Sequence, residues 1–154
     1  MQERNVAKMP LKPKESFENF RNIDKDLSTL VGGLWGLVWG NPESAIEPKI
    51  KLLLSLSNAV GARRLRQAAR ELIKAYAAGC TVKEMDELFS LFVWNQGVGN
   101  FASEIGPSVL FAAYQLIKRE ESINTPKERI VEKLKENFGE GNSSVSVSAK
   151  VKEN

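Results

Sequence analysis

Three polar side chains near the middle of the chain have the spacing and the chemistry of a binding site. Arg64, Gln67 and Glu71 lie at positions i, i+3 and i+7, so in a helix they share one face. The arginine offers a planar fork of donors for a carboxylate or phosphate, and the glutamine adds a donor and an acceptor. Glu71 is our candidate catalytic acid/base, and its alternative role is to hold Arg64 in place.

A second group of polar residues surrounds a glycine-rich bend. Its members are two asparagines, a glutamine and a glutamate: Asn95, Gln96, Asn100 and Glu104. So many polar groups beside aromatic residues are unusual for a plain core. One interpretation is a small-molecule site that recognises an anion or a polar ring. The other is a buried network that fixes helix ends and subunit contacts.

The residue types that the chain lacks also exclude some functions. It contains no histidine, which is the commonest general base and transition-metal ligand, and only one cysteine, Cys80. One cysteine forms neither an intramolecular disulfide nor a cysteine-rich metal site. We therefore expect no metal and no cofactor, and we expect Cys80 to be structural.

The elements that position these residues are predicted to be α-helices. Apolar residues recur at helical spacing in six segments, at 27–38, 50–60, 65–76, 82–93, 109–117 and 130–138. A short helix at 16–21 would bring the total to about six or seven. Gly79 is a natural residue to end a helix, and Thr81 with Glu84 forms a capping-box signature at the start of the next. The sequence predicts an all-α fold.

A row of glycines distinguishes the first long predicted helix. Gly32, Gly36 and Gly40 lie four residues apart, and each glycine costs about 1 kcal/mol relative to alanine in a helix. Such a row lets another backbone approach closely. Tight packing within the chain and a contact between copies both fit this pattern.

The order of the central features carries a family resemblance. Pro48 and Lys49 open one helix, a helix at 62–78 follows, an Ala-Gly turn leads to Thr81, and a capped helix ends in the glycine-rich bend at 92–99. In this order they resemble the carboxymuconolactone decarboxylase family, which includes the AhpD-like alkylhydroperoxidases. The resemblance covers about residues 17–121. It implies an AhpD-like helical hairpin bundle, a pocket between helices, and a trimer or hexamer.

The resemblance breaks at the reactive positions. The hydroperoxidase branch carries Cys-x-x-Cys-x-x-x-His on the helix before the Ala-Gly turn, and these positions correspond here to Arg64, Gln67 and Glu71. The histidine of the decarboxylase branch also corresponds to Glu71, and the family's upstream glutamate corresponds to Leu52. Peroxide reduction by disulfide cycling needs two thiols, so we expect that chemistry to be absent.

Two functions remain open. The first is a divergent carboxymuconolactone decarboxylase-like protein with a polar pocket for a small anionic ligand or substrate. In it, Arg64 would anchor the anion, Glu71 would act as the acid/base, and Gln67 with the amides of the bend would complete the pocket. The alternative is a non-catalytic homo-oligomeric scaffold or partner-binding protein. Whether the protein is an enzyme stays open at this point.

Charge and composition argue against other classes of function. The net charge of +3 and the pI near 9.0 are too small to argue for nucleic acid. The N-terminus has no apolar core of a signal peptide, and no apolar run reaches the roughly 20 residues that span a bilayer. We expect a cytoplasmic protein with no membrane contact. It is divided into a flexible arm at 1–13, a helical domain at 14–138 and a polar tail at 139–154 that is disordered or adds a short strand.

Overall fold

Helices make up most of the chain. The computed structural model describes residues 14–149, and the predicted arm at 1–13 lies outside them. Within this range the prediction of an all-α protein is confirmed. The helices are α1 (Lys14–Ile23), α2 (Lys25–Trp39), α3 (Pro48–Gly61), α4 (Leu65–Ala77), α5 (Val82–Gln96), α6 (Val98–Asn100), which continues as a π-helical turn (Phe101–Ile105), α7 (Val109–Ser122) and α8 (Lys127–Phe138).

The helix ends follow from local sequence signals. Thr81 and Glu84 form both hydrogen bonds of the predicted capping box at the start of α5. Gly79, with φ of 108°, follows α4, and Gly97, with φ of 86°, separates α5 from α6. L-residues with a side chain rarely adopt such angles, so these two positions favour glycine. Asp24 interrupts the first helical stretch, because its carboxylate accepts a hydrogen bond from Leu27 N at 2.9 Å and caps α2.

The hydrophobic core lies among α3, α4, α5, α7 and α8. The helices α3 and α4 form a hairpin, and α4 packs against α7 and α8 on its other side. The largest fully buried side chains come from all five of these helices and include Leu56, Leu72, Met85, Leu110 and Leu134. None of the helices in residues 14–149 combines the length and the apolar content needed to cross a lipid bilayer.

The α1–α2 hairpin is built differently from this bundle. The two helices pack mainly on each other, and neither contains a buried residue. Trp39 at the end of α2 packs against the core, and Lys51 Nζ donates a hydrogen bond to Val38 O at 2.7 Å. The hairpin is therefore held to the bundle near the C-terminal end of α2.

The segment after α8 makes contacts of its own and contacts with α1. One oxygen of Glu140 accepts hydrogen bonds from the Ser146 hydroxyl and from the backbone N–H groups of Val147 and Ser148. Val145 is buried, and Asn19 on α1 donates to Val147 O at 2.7 Å. Residues 139–149 form no strand. The rest of the predicted tail, 150–154, lies outside the described residues.

Candidate functional site

The three predicted site residues around α4 have different surroundings. The helix begins at Leu65 and not within 62–64 as predicted, and Arg64 precedes it with non-helical backbone angles. Arg64 and Gln67 are exposed, whereas Glu71 is buried. The Arg64 side chain forms no hydrogen bond or ion pair with any residue in 14–149, so it does not contact Glu71. The geometry thus leaves Arg64 and Gln67 open to solvent and encloses Glu71.

Glu71 is the most unusual of the predicted site residues. Oε1 of its carboxylate lies 3.3 Å from Lys74 Nζ. The other oxygen, Oε2, is fully buried and has no hydrogen-bond partner among residues 14–149. Such orphaned acceptors are rare in folded proteins, because desolvating a polar group without a partner is unfavourable. The exception marks Glu71 as a position where a water molecule or a ligand that donates a hydrogen bond would supply the missing partner.

The polar residues at the bend do not form a network with one another. Asn95 and Glu104 are exposed, and Gln96 and Asn100 are half-buried. None of their side chains makes a hydrogen bond to another residue in the part of the chain that the structure describes. Gln96 does reach the α3–α4 turn, since a Cβ added to Gly61 would lie 3.9 Å from its Nε2. The bend is therefore close to α3. The side-chain amides of the bend have no hydrogen-bond partner among the described residues and could bind a ligand.

The aromatic residues around the bend have a structural explanation. Phe101 begins the π-helical turn, and Gly106 N donates to Phe101 O at 2.7 Å. The ring of Phe101 makes edge contacts with Phe89 and Phe111, and Phe89 stacks on Tyr114 at 4.1 Å. These aromatic contacts stabilise the core beneath the polar residues.

Cys80 is unsuited to thiol chemistry. It is 2% exposed, and burial raises the pKa of its thiol to about 11, with the negative charge of Glu84 adding to the effect. The thiolate is the reactive form of cysteine, so at neutral pH the group stays protonated. This environment fits the structural role that we expect for Cys80.

Sequence analysis missed a polar cluster that joins α5 to α7. The Tyr114 hydroxyl donates a hydrogen bond to the Asp86 carboxylate, and Lys118 Nζ lies 2.8 Å from Asp86 Oδ1 and 3.3 Å from the Tyr114 hydroxyl. The hydrogen bond from Lys118 lowers the pKa of Asp86, and burial raises that of Tyr114. Both shifts favour the ionised aspartate and the neutral tyrosine. The cluster therefore has a structural role in linking α5 to α7 and is not a proton-transfer site. The i, i+4 spacing of Tyr114 and Lys118 was the only sequence signal.

Two clefts in the structure lie away from the predicted site. One, of about 770 Å³, lies between α1 and α2. The other, of about 300 Å³, lies between α1, α4, α8 and the C-terminal segment, and Lys74 reaches it together with Lys14, Arg70 and Lys135. None of the seven predicted site residues lines either cleft. Lys74 lines the smaller cleft and also forms the ion pair with Glu71.

Comparison with known proteins adds no family assignment. No protein-family model matches the chain, and no curated protein or solved structure matches it significantly. The resemblance to the carboxymuconolactone decarboxylase family therefore stays a prediction.

Proposed function

We propose that the protein is a non-catalytic helical binding protein that works as a homo-oligomer, with the outer face of α2 as the contact between copies. The observation that carries this proposal is the exposure of three leucines on that face. Leu30, Leu34 and Leu37 are 71%, 60% and 70% exposed. Contiguous exposed apolar patches are typical of interaction sites.

The geometry of α2 favours a second copy as the occupant of this face. The three leucines lie at i, i+4 and i+7, which aligns them along one side of the helix. Gly33 and Gly36 leave open space, since a Cβ added at either would have no atom of another element within 4 Å. Residues 27–42 carry no charge, so two such faces can meet without desolvating a charged group.

The chemistry of the remaining residues supports a non-catalytic role. Leu52, at the position of the family's upstream glutamate, is a buried core residue. Cys80 is buried and protonated at neutral pH. Arg64 and Gln67 are exposed rather than enclosed with a substrate.

The test is the oligomeric state of the full chain across a range of concentrations, measured by light scattering after size exclusion and by native mass spectrometry. We expect a multiple of the 17.1 kDa subunit, and we expect Leu34→Glu to give a monomer with unchanged helical content. Leu91→Glu is the matched control, because Leu91 is also exposed, at 53%, but lies on α5. A strictly monomeric wild type, or equal effects of the two variants, would contradict the proposal.

A second candidate function rests on the unpaired buried oxygen of Glu71. We propose as the alternative that a small anionic ligand or substrate binds beside α4, as in a divergent carboxymuconolactone decarboxylase-like protein. Arg64 and Gln67 would then bind the anion, and Glu71 would act as the acid/base. The free amides of the nearby bend would add hydrogen bonds.

Native mass spectrometry of protein purified from its own source tests this alternative. The alternative would be supported if the wild-type protein retains a small molecule that the Arg64→Gln variant does not retain. The control variant Lys83→Gln, on the exposed surface of α5, should still retain it. A ligand-free protein from that source, or retention that is insensitive to Arg64→Gln, would count against it. If turnover of the identified ligand were found, full activity of Glu71→Gln would exclude the assigned role of Glu71.

A further inference from the structure

The cleft between α1 and α2 has the size of a small-molecule site. Its volume is about 770 Å³, and sites for small ligands typically measure about 300–1,000 Å³. Two helix faces form its walls. Lys14, Phe17 and Arg21 lie at i, i+3 and i+7 on α1, and Lys25 and Trp35 lie three turns apart on α2.

The walls combine an apolar floor with a basic rim. Phe17 and Trp35 are half-buried aromatic residues that form the floor, and Gly32 lies beside the Phe17 ring, since a Cβ there would be 3.9 Å from it. Ser28 and Thr29 use their hydroxyls as donors to backbone carbonyls of the hairpin. Their oxygen lone pairs are left for a ligand.

Among residues 14–149, the charged residues that line the cleft are all positive. They are Lys14, Arg21 and Lys25. Lys14 and Lys25 form no ion pair with any residue in this range. Arg21 is paired with Glu18 at 3.1 Å, but both side chains are more than half exposed, so this pair is weak and exchangeable. Within the described residues, Lys14 and Lys25 therefore place unpaired positive charge at a cleft that Phe17 and Trp35 also line.

We infer that this cleft binds a free amphipathic anion, a carboxylate or sulfonate carried on an aromatic or aliphatic body. The apolar body would cover Phe17 and Trp35, and the anionic group would lie at the rim formed by Lys14, Arg21 and Lys25. A compact inorganic anion would leave the aromatic floor uncovered. A neutral apolar molecule would leave Lys14 and Lys25 without an ionic partner among the described residues.

This inference does not depend on the proposed self-association. The leucines of the proposed contact, Leu30, Leu34 and Leu37, lie on a different side of α2 from Gly32 and Trp35. The two surfaces can therefore be changed one at a time. A protein that is monomeric can still bind the anion, and an oligomer can fail to bind it.

Titration calorimetry with naphthalene-2-carboxylate tests the inference on the full chain. We expect saturable binding of the carboxylate and binding at least tenfold weaker of the neutral naphthalene-2-carboxamide, a difference of about 1.4 kcal/mol. Equal binding of the two compounds, or no binding of the carboxylate, would overturn the inference. Vesicles of phosphatidylglycerol form a second arm. Binding to these vesicles without binding of the free carboxylate would identify a lipid surface instead and would also overturn it.

Matched variants locate the site. The double variant Arg21→Gln/Lys25→Gln removes two cations from the rim, and we expect it to weaken binding of the carboxylate about tenfold, equivalent to about 1.4 kcal/mol. Arg63→Gln/Lys83→Gln removes the same net charge from exposed positions outside the cleft and is expected to bind like the wild type. Trp35→Leu is expected to weaken both naphthalene compounds. Equal losses in the two double variants would show a nonspecific charge effect and would overturn the assignment of the cleft.

Discussion

The bundle of α3–α8 and the α1–α2 hairpin use apolar side chains in opposite ways. In the bundle, Leu56, Leu72 and Leu110 are completely buried. In the hairpin no residue is buried, and Leu30 is 71% exposed. Burial of apolar surface stabilises a fold only where water is actually removed. The bundle therefore supplies the stability of the monomer, and the hairpin presents apolar surface that is available for binding.

Charged groups show the same contrast. Glu120, buried between α7 and α8, lies 2.7 Å from Lys133 and 2.8 Å from the Thr125 hydroxyl, and Arg119 contacts its other oxygen. Its charge is thus compensated within the bundle. Lys14 and Lys25 on the hairpin have no ion-pair partner within residues 14–149. Glu120 in the bundle is thus fully paired, whereas Lys14 and Lys25 of the hairpin leave positive charge beside an apolar cleft.

The largest effect is expected in the bundle, from removing a fully buried leucine. Leu56→Ala should lower the free energy of unfolding by about 2–5 kcal/mol, because it loses apolar burial and leaves a cavity. Urea unfolding followed by circular dichroism measures the change. A loss below about 1 kcal/mol would mean that the bundle is not the source of stability described above.

Acid unfolding should also depend on the bundle. Hydrogen bonds from Lys133, Thr125 and Arg119 lower the pKa of Glu120 from 4.5 to about 2. A carboxylate with a lowered pKa stabilises the folded state above its unfolded pKa, and this contribution is lost as pH falls from about 4.5 towards 2. Glu120→Gln should therefore be less stable at neutral pH and lose less stability over that acidic range. Glu87→Gln, an exposed change on α5, is the control and should follow the wild-type pH dependence.

Helix caps allow a direct comparison of the two regions. Thr81→Ala removes the cap of α5 and should lower the free energy of unfolding by about 1 kcal/mol. Asp24→Ala removes the cap of α2 but should change the global unfolding midpoint less, because the hairpin adds little burial to the bundle. Its effect should appear as a small loss of helical signal before the main transition. Equal shifts of the midpoint would show that the hairpin and bundle unfold as one unit.

The smallest effect is expected on the outer face of the hairpin. Leu34→Ala should change the free energy of unfolding of the dissociated monomer by less than about 0.5 kcal/mol, as is usual for an exposed position. The measurement is made at a concentration where light scattering shows a monomer. The same variant should weaken self-association at higher concentration. A loss comparable to that of Leu56→Ala would remove the contrast between the two regions.

Most of the helical architecture follows from local signals. The apolar spacing predicts the six segments that form α2–α5, α7 and α8, and the capping box at Thr81 and Glu84 is present as predicted. The short helix predicted at 16–21 is present as α1, which Asp24 separates from α2. One feature exceeded the prediction of six or seven helices, because Gly97 permits the short helix α6 before the π-helical turn. This is a boundary effect, where a single positive φ decides between a continuous helix and a break.

The candidate site was less predictable than the helices. The helical repeat relates Gln67 to Glu71, which lie about one turn apart on α4, whereas Arg64 precedes the helix with non-helical backbone angles. Spacing does not determine that Glu71 is buried beside Lys74 while Arg64 is exposed, since burial depends on which other helices cover the face. The contacts of residues 139–149, which bury Val145 and join Val147 to Asn19, were missed for the same reason.

The sequence by itself determined most of the helices and the absence of histidine and of a cysteine pair, because these depend on residue types and on spacings within one helix. The tertiary structure decided which apolar residues are buried and which charges are paired. It alone separates Leu56 in the core from Leu34 on the surface, although both lie on apolar helical stripes. It also brings α1 and α2 together to form the cleft, because a contact between two helices depends on how they pack and not on either sequence alone.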